Sequence, residues 1–187
     1  HSGEDSHIAA VQSILSKVGL SEDALRCGAH PPFAQSAAEA LIRAGEMPRA
    51  IHSNCSGKHA GMLALAVLRG WPTDGYMELE HPVQQEILAA IATLTGTPSA
   101  VIPTAVDGCG VPTYALTLRA MALAYAKMAV PTVLPPGFAQ AAERIGTAMC
   151  RHPHMTAGSG RFGTSLMAAI EERVIAKGGA EGVMNIG

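Results

Sequence analysis

The eleven residues His52-Ser53-Asn54-Cys55-Ser56-Gly57-Lys58-His59-Ala60-Gly61-Met62 constrain this chain most, because a polar loop of small residues opens there into the apolar run Leu63-Ala64-Leu65-Ala66-Val67-Leu68. The spacing predicts a helix that begins near Ser56, with Cys55 and Lys58 about one turn apart at its positive end. Free backbone N–H groups and the helix dipole favour a thiolate at that position. A second cysteine framed by glycines, in Asp107-Gly108-Cys109-Gly110-Val111-Pro112, is the natural partner of Cys55.

At 187 residues, with 48% hydrophobic side chains and a mean hydropathy of +0.22, the chain is long enough to bury one sizeable core, and residues 1–187 read as a single domain. Thirteen basic and fifteen acidic residues give a net charge of −2. No Lys/Arg stripe or run of like charge is present, which argues against nucleic acid or an anionic membrane as a partner. The longest apolar run, residues 120–126, stops at Lys127 and is far too short to span a bilayer. The chain begins at His1 without Met or a charged-then-apolar leader and stops within the strand-like run 182–186, so the expectation is a partial domain from the middle of a longer protein. Cys27, Cys55, Cys109 and Cys150, in a chain with no leader, point to a reducing, cytoplasmic compartment rather than a disulfide scaffold.

Read in order, the chain is mainly helical. Ser6 is the expected cap of a first helix carrying Ile8, Val11, Leu15 and Val18 and ending at Gly19. Pro31-Pro32 precedes a helix over 34–44 that Gly45 stops, and the helix led by Cys55 closes at Gly70-Trp71-Pro72. Pro82 suits the first turn of the next helix, whose stripe is Val83, Ile87, Ile91 and Leu94. The run 100–106 looks extended but is interrupted by Pro103. Helices are expected over 113–129, 138–151 and 164–176, and a strand over 182–186. The fold class expected from this pattern is α/β, predominantly helical.

Several constellations carry chemistry. Cys55, Lys58 and Cys109 form a plausible three-ligand zinc site with one open position, although a lysine ligand must lose a proton to bind. The competing reading makes both cysteines small buried hydrophobes and Lys58 a surface cation. His59 is a candidate second-shell donor or general base, or simply a structural histidine. Asp107 could orient a ligand or a substrate amine, or open an Asp-Gly turn. His152 and His154, around Pro153, read as turn residues, and Gly158-Ser159-Gly160 lacks the strand-turn-helix setting of a phosphate loop. Lys177-Gly178-Gly179 reads either as a helix C-cap or as a strand-entrance lysine like that of the penicillin-recognising serine hydrolases.

Taken together, His1-Ser2-Gly3-Glu4-Asp5-x-His7, Asn54-Cys55-Ser56-Gly57-Lys58-His59-Ala60-Gly61-Met62, His81-Pro82-Val83-Gln84, Asp107-Gly108-Cys109-Gly110-Val111-Pro112 and Lys177-Gly178-Gly179-Ala180-Glu181-Gly182 resemble the rhizobial-type L-asparaginase II family, in order along nearly the whole chain. The resemblance implies hydrolysis of L-asparagine to L-aspartate and ammonia on a fold similar to serine β-lactamases and glutaminases. It implies two Ser–Lys pairs and a zinc held by Cys55, Lys58 and Cys109. Lys177 matches the lysine partner of one serine, which would immediately precede His1, and His1, His59 and Asp107 fall at substrate-binding or second-shell positions. No Ser-x-x-Lys occurs in the sequence, so the other pair is expected upstream and these residues alone are expected to be inactive. A homodimer is compatible with the resemblance. Two alternatives stand beside this reading: a zinc-dependent amidohydrolase in which metal-bound water attacks, and a non-catalytic helical metal-binding module.

Overall fold

A computed structural model describes residues 1–170 and 174–187. The chain divides into two compact units, one formed by His1–Ile87 and Thr104–Tyr114, the other by Leu88–Pro103 and Ala115–Gly187. Among the described residues the secondary structure is mostly helical, with two small antiparallel sheets. No helix among them is long and apolar enough to cross a membrane.

The first unit is built on the packing of α1 (Asp5–Lys17) against α3 (Ser56–Arg69). Their apolar residues recur at helical spacing. Val11 and Leu15 of α1 and Ala60, Leu63 and Ala66 of α3 are almost wholly buried, and they form one core with Leu25, Ile51, Tyr76, Val83, Cys109 and Val111. Each buried Leu contributes roughly 1.5–3 kcal/mol relative to exposure. The start of α1 differs from the expectation. Glu4, not Ser6, precedes the first helical residue, and its backbone N–H donates to Nδ1 of His7 at 3.2 Å. A buried histidine one turn into the helix thus accepts from one of the amides that a helix start leaves without an intrahelical partner. At the other end of α3, Gly70 takes φ +70° and lets Trp71 N–H reach the Ala66 carbonyl at 2.9 Å. The short helix α2 (Gln35–Ala44) stops as expected at Gly45, which also adopts a left-handed conformation.

The expected helix over 113–129 needs correction. Pro112–Tyr114 forms β2, paired antiparallel with β1 (Thr104–Val106) in the register Thr104↔Tyr114, Ala105↔Thr113, Val106↔Pro112. The β-branched and aromatic residues flanking the Asp-Gly-Cys-Gly turn outweigh the helical pattern that begins further on. The helix α5 (Leu118–Ala129) starts only after Thr117, whose hydroxyl accepts the Ala120 N–H at 3.1 Å. Pro103 lies between a 3-10 turn (Ser99–Val101) and β1, where its missing N–H costs no ladder bond.

The helix α4 (Pro82–Thr95) opens on Pro82 as expected. In the second unit, α5 packs on α6 (Pro136–Arg151), and α7 (Pro153–Ala157) on α8 (Phe162–Ala169). His152 terminates α6 and His154 lies in α7. Gly158 and Gly160 turn the chain between α7 and α8 with positive φ. The helix expected over 164–176 falls partly on residues 171–173, outside the described residues. Ala176 itself opens β3 (Ala176–Gly178), which pairs antiparallel with β4 (Met184–Ile186) and aligns Lys177 with Asn185. Of the expected strand over 182–186, Met184–Ile186 forms β4, whereas Gly182 belongs to a 3-10 turn (Ala180–Gly182). Leu134, Ala142, Met167, Ile175 and Ala176 are buried within this unit.

One glycine in the first unit is required on two counts. Gly3 has φ +76°, and a Cβ there would lie 2.9 Å from the His52 carbonyl oxygen and 2.9 Å from Cβ of Pro32. Gly3→Ala is expected to lower stability by about 1–3 kcal/mol, read as a lower urea midpoint at unchanged slope. An unchanged midpoint would show that the 52–56 loop yields without cost.

Candidate functional site

The loop before α3 is held by histidines. Asn54 N–H donates to Nε2 of His30 at 3.2 Å, and Arg49 N–H donates to Nδ1 of His52 at 2.9 Å. Ser53 supplies its hydroxyl oxygen to the Cys55 N–H at 3.3 Å. At the helix start, Nδ1 of His1 accepts the Gly3 N–H at 3.1 Å, which places the ring proton on Nε2. That nitrogen then donates to Oγ of fully buried Ser56 at 3.0 Å, while the ring stacks on His7 with centroids 4.9 Å apart. Ser56 Oγ thus accepts a hydrogen bond from His1 in this tautomer, so His1 is not placed as a base for the Ser56 hydroxyl.

Cys55 is the N-cap of α3, and its carbonyl accepts the His59 N–H at 3.0 Å. Opposite it stands the β1–β2 turn. Asp107 N–H donates to the Val111 carbonyl and Gly110 N–H to the Asp107 carbonyl, both at 2.8 Å, while Oδ1 of Asp107 accepts the Gly108 N–H at 2.9 Å. The turn residue and the site residue are therefore the same aspartate. Its other oxygen, Oδ2, accepts from Nζ of Lys58 at 3.3 Å and from the Cys109 thiol at 3.3 Å. The ligand atoms of Cys55, Asp107 and Cys109 all lie within 4.8 Å of one another. Two loops 54 residues apart in sequence, by the difference 109 − 55, thus converge on one cluster of two sulfurs, a carboxylate and an amine.

The electrostatics qualify one expectation. Burial pushes the Cys55 thiol up to about 11, with Lys58 opposing and Cys109 and Asp107 reinforcing the shift. In the metal-free chain Cys55 is therefore a protonated thiol at pH 7, not the thiolate expected from its place at the helix start. Desolvation of the charged form outweighs the attraction of the dipole and of Lys58. Burial alone would lower Lys58, but the negative charge of Cys55, hydrogen bonding to Cys109 and the charges of Cys109 and Asp107 raise it on balance. Burial alone would raise Asp107, yet the Cys109 hydrogen bond, the Gly108 N–H and Lys58 hold it below its ordinary value. At neutral pH the standing charges are those of an Asp107–Lys58 pair. With side chains 41% and 43% exposed, that pair contributes little to stability.

His59 and Lys177 sit in different settings. The His59 ring is fully buried, with Nδ1 2.6 Å from the hydroxyl of Tyr76, whose ring meets it edge-on at 5.5 Å. Burial first, then the charge of Lys58, lowers its pKa from 6.5 to about 4, against the pull of Asp107. The neutral, enclosed ring suits a structural or hydrogen-bonding role. Lys177 lies on β3 in the second unit, exposed, with Nζ donating to the Gly178 carbonyl at 2.6 Å.

Sequence reasoning gave neither Tyr76 nor Cys27 a place near the site. The Cys27 thiol donates to the Ala50 carbonyl at 3.3 Å, and burial raises its pKa. For Tyr76 the only signal was an aromatic residue directly after the Asp74-Gly75 turn. A cavity of about 250 Å³ bordered by Arg26, Leu63, Asp74, Tyr76 and Glu78 does not include the thiol cluster in its walls.

A family model described as L-asparaginase II matches residues 1–187. No curated protein matches the chain.

Because the folded-state pKa of His59 lies below its unfolded value, its contribution to stability is complete above pH 6.5 and is lost as pH falls toward 4. Between pH 7 and 4 that loss should be on the order of 3 kcal/mol. His52, also lowered by burial, acts in the same direction. Urea unfolding of wild type and His59→Gln across this range should show a shallower pH slope in the variant, and parallel slopes would contradict the assignment.

Proposed function

The chain belongs to the L-asparaginase II family, and from that premise we propose that it is the zinc-binding part of an amidohydrolase that converts L-asparagine to L-aspartate and ammonia. The observation that carries this reading is the convergence of Cys55, Cys109 and Asp107 within 4.8 Å, with Lys58 tied to the same carboxylate. Two sulfurs and an amine are a donor set suited to zinc, and the carboxylate beside them neutralises and orients the lysine. Cys55, Lys58 and Cys109 would hold the ion, which when bound supplies a Lewis acid able to anchor or polarise a carboxylate or carbonyl oxygen.

The chain's own residues divide the remaining work. To become a ligand, Lys58 gives up its proton and its hold on Asp107. Asp107 is then free to receive the ammonium group of an amino-acid substrate, the position that the Lys58 ammonium fills in the metal-free chain. Lys177 is assigned as the base that takes a serine proton and returns it to departing ammonia, as the resemblance implies. His1 orders the first turn of α3 through Ser56, and His59 serves as a hydrogen-bond donor behind the ligands. A serine β-lactamase-like architecture and a reducing, cytoplasmic setting belong to the same reading, the latter supported by four free cysteines.

Elemental analysis tests the metal assignment directly. About one zinc per chain is expected in the wild type and none in a folded Cys55→Ser, Cys109→Ser variant. Equal metal in both would remove these loops from the site. Because two thiols and an ammonium must lose protons, zinc affinity should rise by at least about tenfold between pH 6.5 and 8 in chelator competition. A flat profile would exclude Lys58 and the protonated thiols as ligands. In the enzyme that carries the family's serines, Lys177→Met should lower kcat for L-asparagine by about 10²–10⁴-fold without changing zinc content. Retained activity would end its assignment as the base.

A further inference from the structure

The cavity of about 250 Å³ in the first unit takes no part in the chemistry proposed above. Buried Leu63 and Tyr76, with half-buried Ala24 and Met77, give it an apolar floor. Its charged residues, Arg26, Asp74 and Glu78, are all exposed and reach water at the rim. A volume below the roughly 300–1,000 Å³ of drug-sized ligand sites suits a small molecule.

Local structure sets the charged groups in place. Arg26 N–H donates to the Tyr76 hydroxyl at 3.1 Å, which ties this residue to the cavity wall. Its Nη1 donates to the Asp23 carbonyl at 2.5 Å, so one edge of the guanidinium is held by the neighbouring backbone. Nε and Nη2 have no hydrogen-bond partner among the described residues. These two nitrogens present parallel N–H groups, the fork that receives a carboxylate side-on. On the other charged segment, Glu78 N–H donates to the Gly75 carbonyl at 2.8 Å and closes a turn. That turn lays the Glu78 carboxylate against Gly75, which borders the cavity: a Cβ on this glycine would lie 3.4 Å from Cδ and from both carboxylate oxygens. Among the described residues, neither Asp74 nor Glu78 has an ion pair or a hydrogen bond at its carboxylate.

We propose that this cavity is a binding site for a small neutral α-amino acid. The free edge of Arg26 takes the α-carboxylate, Glu78 with Asp74 takes the α-ammonium, and a short side chain lies on the apolar floor. A lone anion there would face two carboxylates, and a lone cation would face the guanidinium. A zwitterion carries both charges on one carbon and meets each with its opposite. Because the cavity has two carboxylates to one guanidinium, an acidic side chain on the ligand is disfavoured. The floor excludes water from one side of these contacts, which strengthens them over the same pairs on an open surface. The site is independent of zinc and of asparagine hydrolysis, since Cys55, Lys58, Asp107 and Cys109 form none of its walls.

The test uses L-alanine, which has no side-chain amide to hydrolyse, titrated into the metal-free 187-residue chain and followed by its ¹H–¹⁵N amide shifts. Saturable shifts are expected at Arg26, Gly75, Tyr76 and Glu78. Propionate lacks the ammonium and ethylamine lacks the carboxylate, so each should bind at least about tenfold more weakly. L-aspartate should bind at least about threefold more weakly. Arg26→Gln and Glu78→Gln alter exposed side chains, so the amide spectrum away from the cavity should persist while L-alanine binding weakens about tenfold. No saturable shift would overturn the site. Shifts confined to residues 53–59 and 107–111 would also overturn it, and would place the amino acid at the thiol cluster instead. Propionate or ethylamine binding as tightly as L-alanine would reduce the cavity to a simple ion site and end the zwitterion assignment. Equal binding of L-aspartate would overturn the neutral class, and wild-type affinity in both variants would remove Arg26 and Glu78 from the contact and the proposal with them. Failure of the asparaginase reading is read separately, from zinc content and turnover.

Discussion

Burial of one face of α3 is the constraint on which the site depends. Ala60, Leu63 and Ala66 are wholly enclosed, and α1 crosses them with Val11 and Leu15. This packing fixes both the axis and the rotation of the helix. With the rotation set, Cys55 and Lys58 at its first turn have no freedom to face elsewhere, and His59 is carried inward to Tyr76. The hairpin turn is locked to the same core by Cys109 and Val111, which are buried in it. Hydrophobic packing without directionality therefore delivers polar groups from two distant loops to one place.

The loops around that core carry many backbone amides, and histidines satisfy an unusual share of them. Gly3, Glu4, Arg49 and Val83 each donate an N–H to Nδ1 of a nearby histidine, and Asn54 donates to Nε2 of His30. Asparagine and serine usually fill this role at helix starts and turns. An imidazole does the same while adding a flat, largely apolar ring that stacks, as His1 does on His7 and His30 on Phe33. Histidines that look like metal ligands in sequence can thus be structural acceptors. Two buried histidines of the first unit, His52 and His59, have pKa values lowered by burial, and they make that unit sensitive to acid.

The electrostatics of the thiol cluster follow from partial burial. A half-buried cysteine at a helix start meets two opposing effects, the dipole favouring a thiolate and desolvation favouring a thiol. Desolvation prevails for Cys55 because its surroundings are the hydrophobic core rather than water or a ring of cations. The Asp107 carboxylate organises the remaining groups, joining an ammonium and a thiol on one oxygen while its other oxygen secures the turn. Little stability comes from the exposed ion pair. Its effect is arrangement.

The sequence by itself determined the helical character of the chain, most helix ends and the identity of the cluster residues. Those signals are local: apolar spacing along α1 and α3, glycines at Gly45 and Gly70 that alone accept a left-handed stop, and glycine-framed cysteines in two loops. It misjudged the stretch after Cys109, where a three-residue strand is stabilised by pairing with β1 rather than by its own pattern. Only the tertiary structure decided that the two cysteine loops meet, that Cys55 is a thiol, and that His59 turns away from solvent to Tyr76. Each of those facts depends on which groups surround a side chain and how much water they exclude. Residues 50 or more positions apart set that environment, as Arg26 and Tyr76 do, and no local periodicity records it.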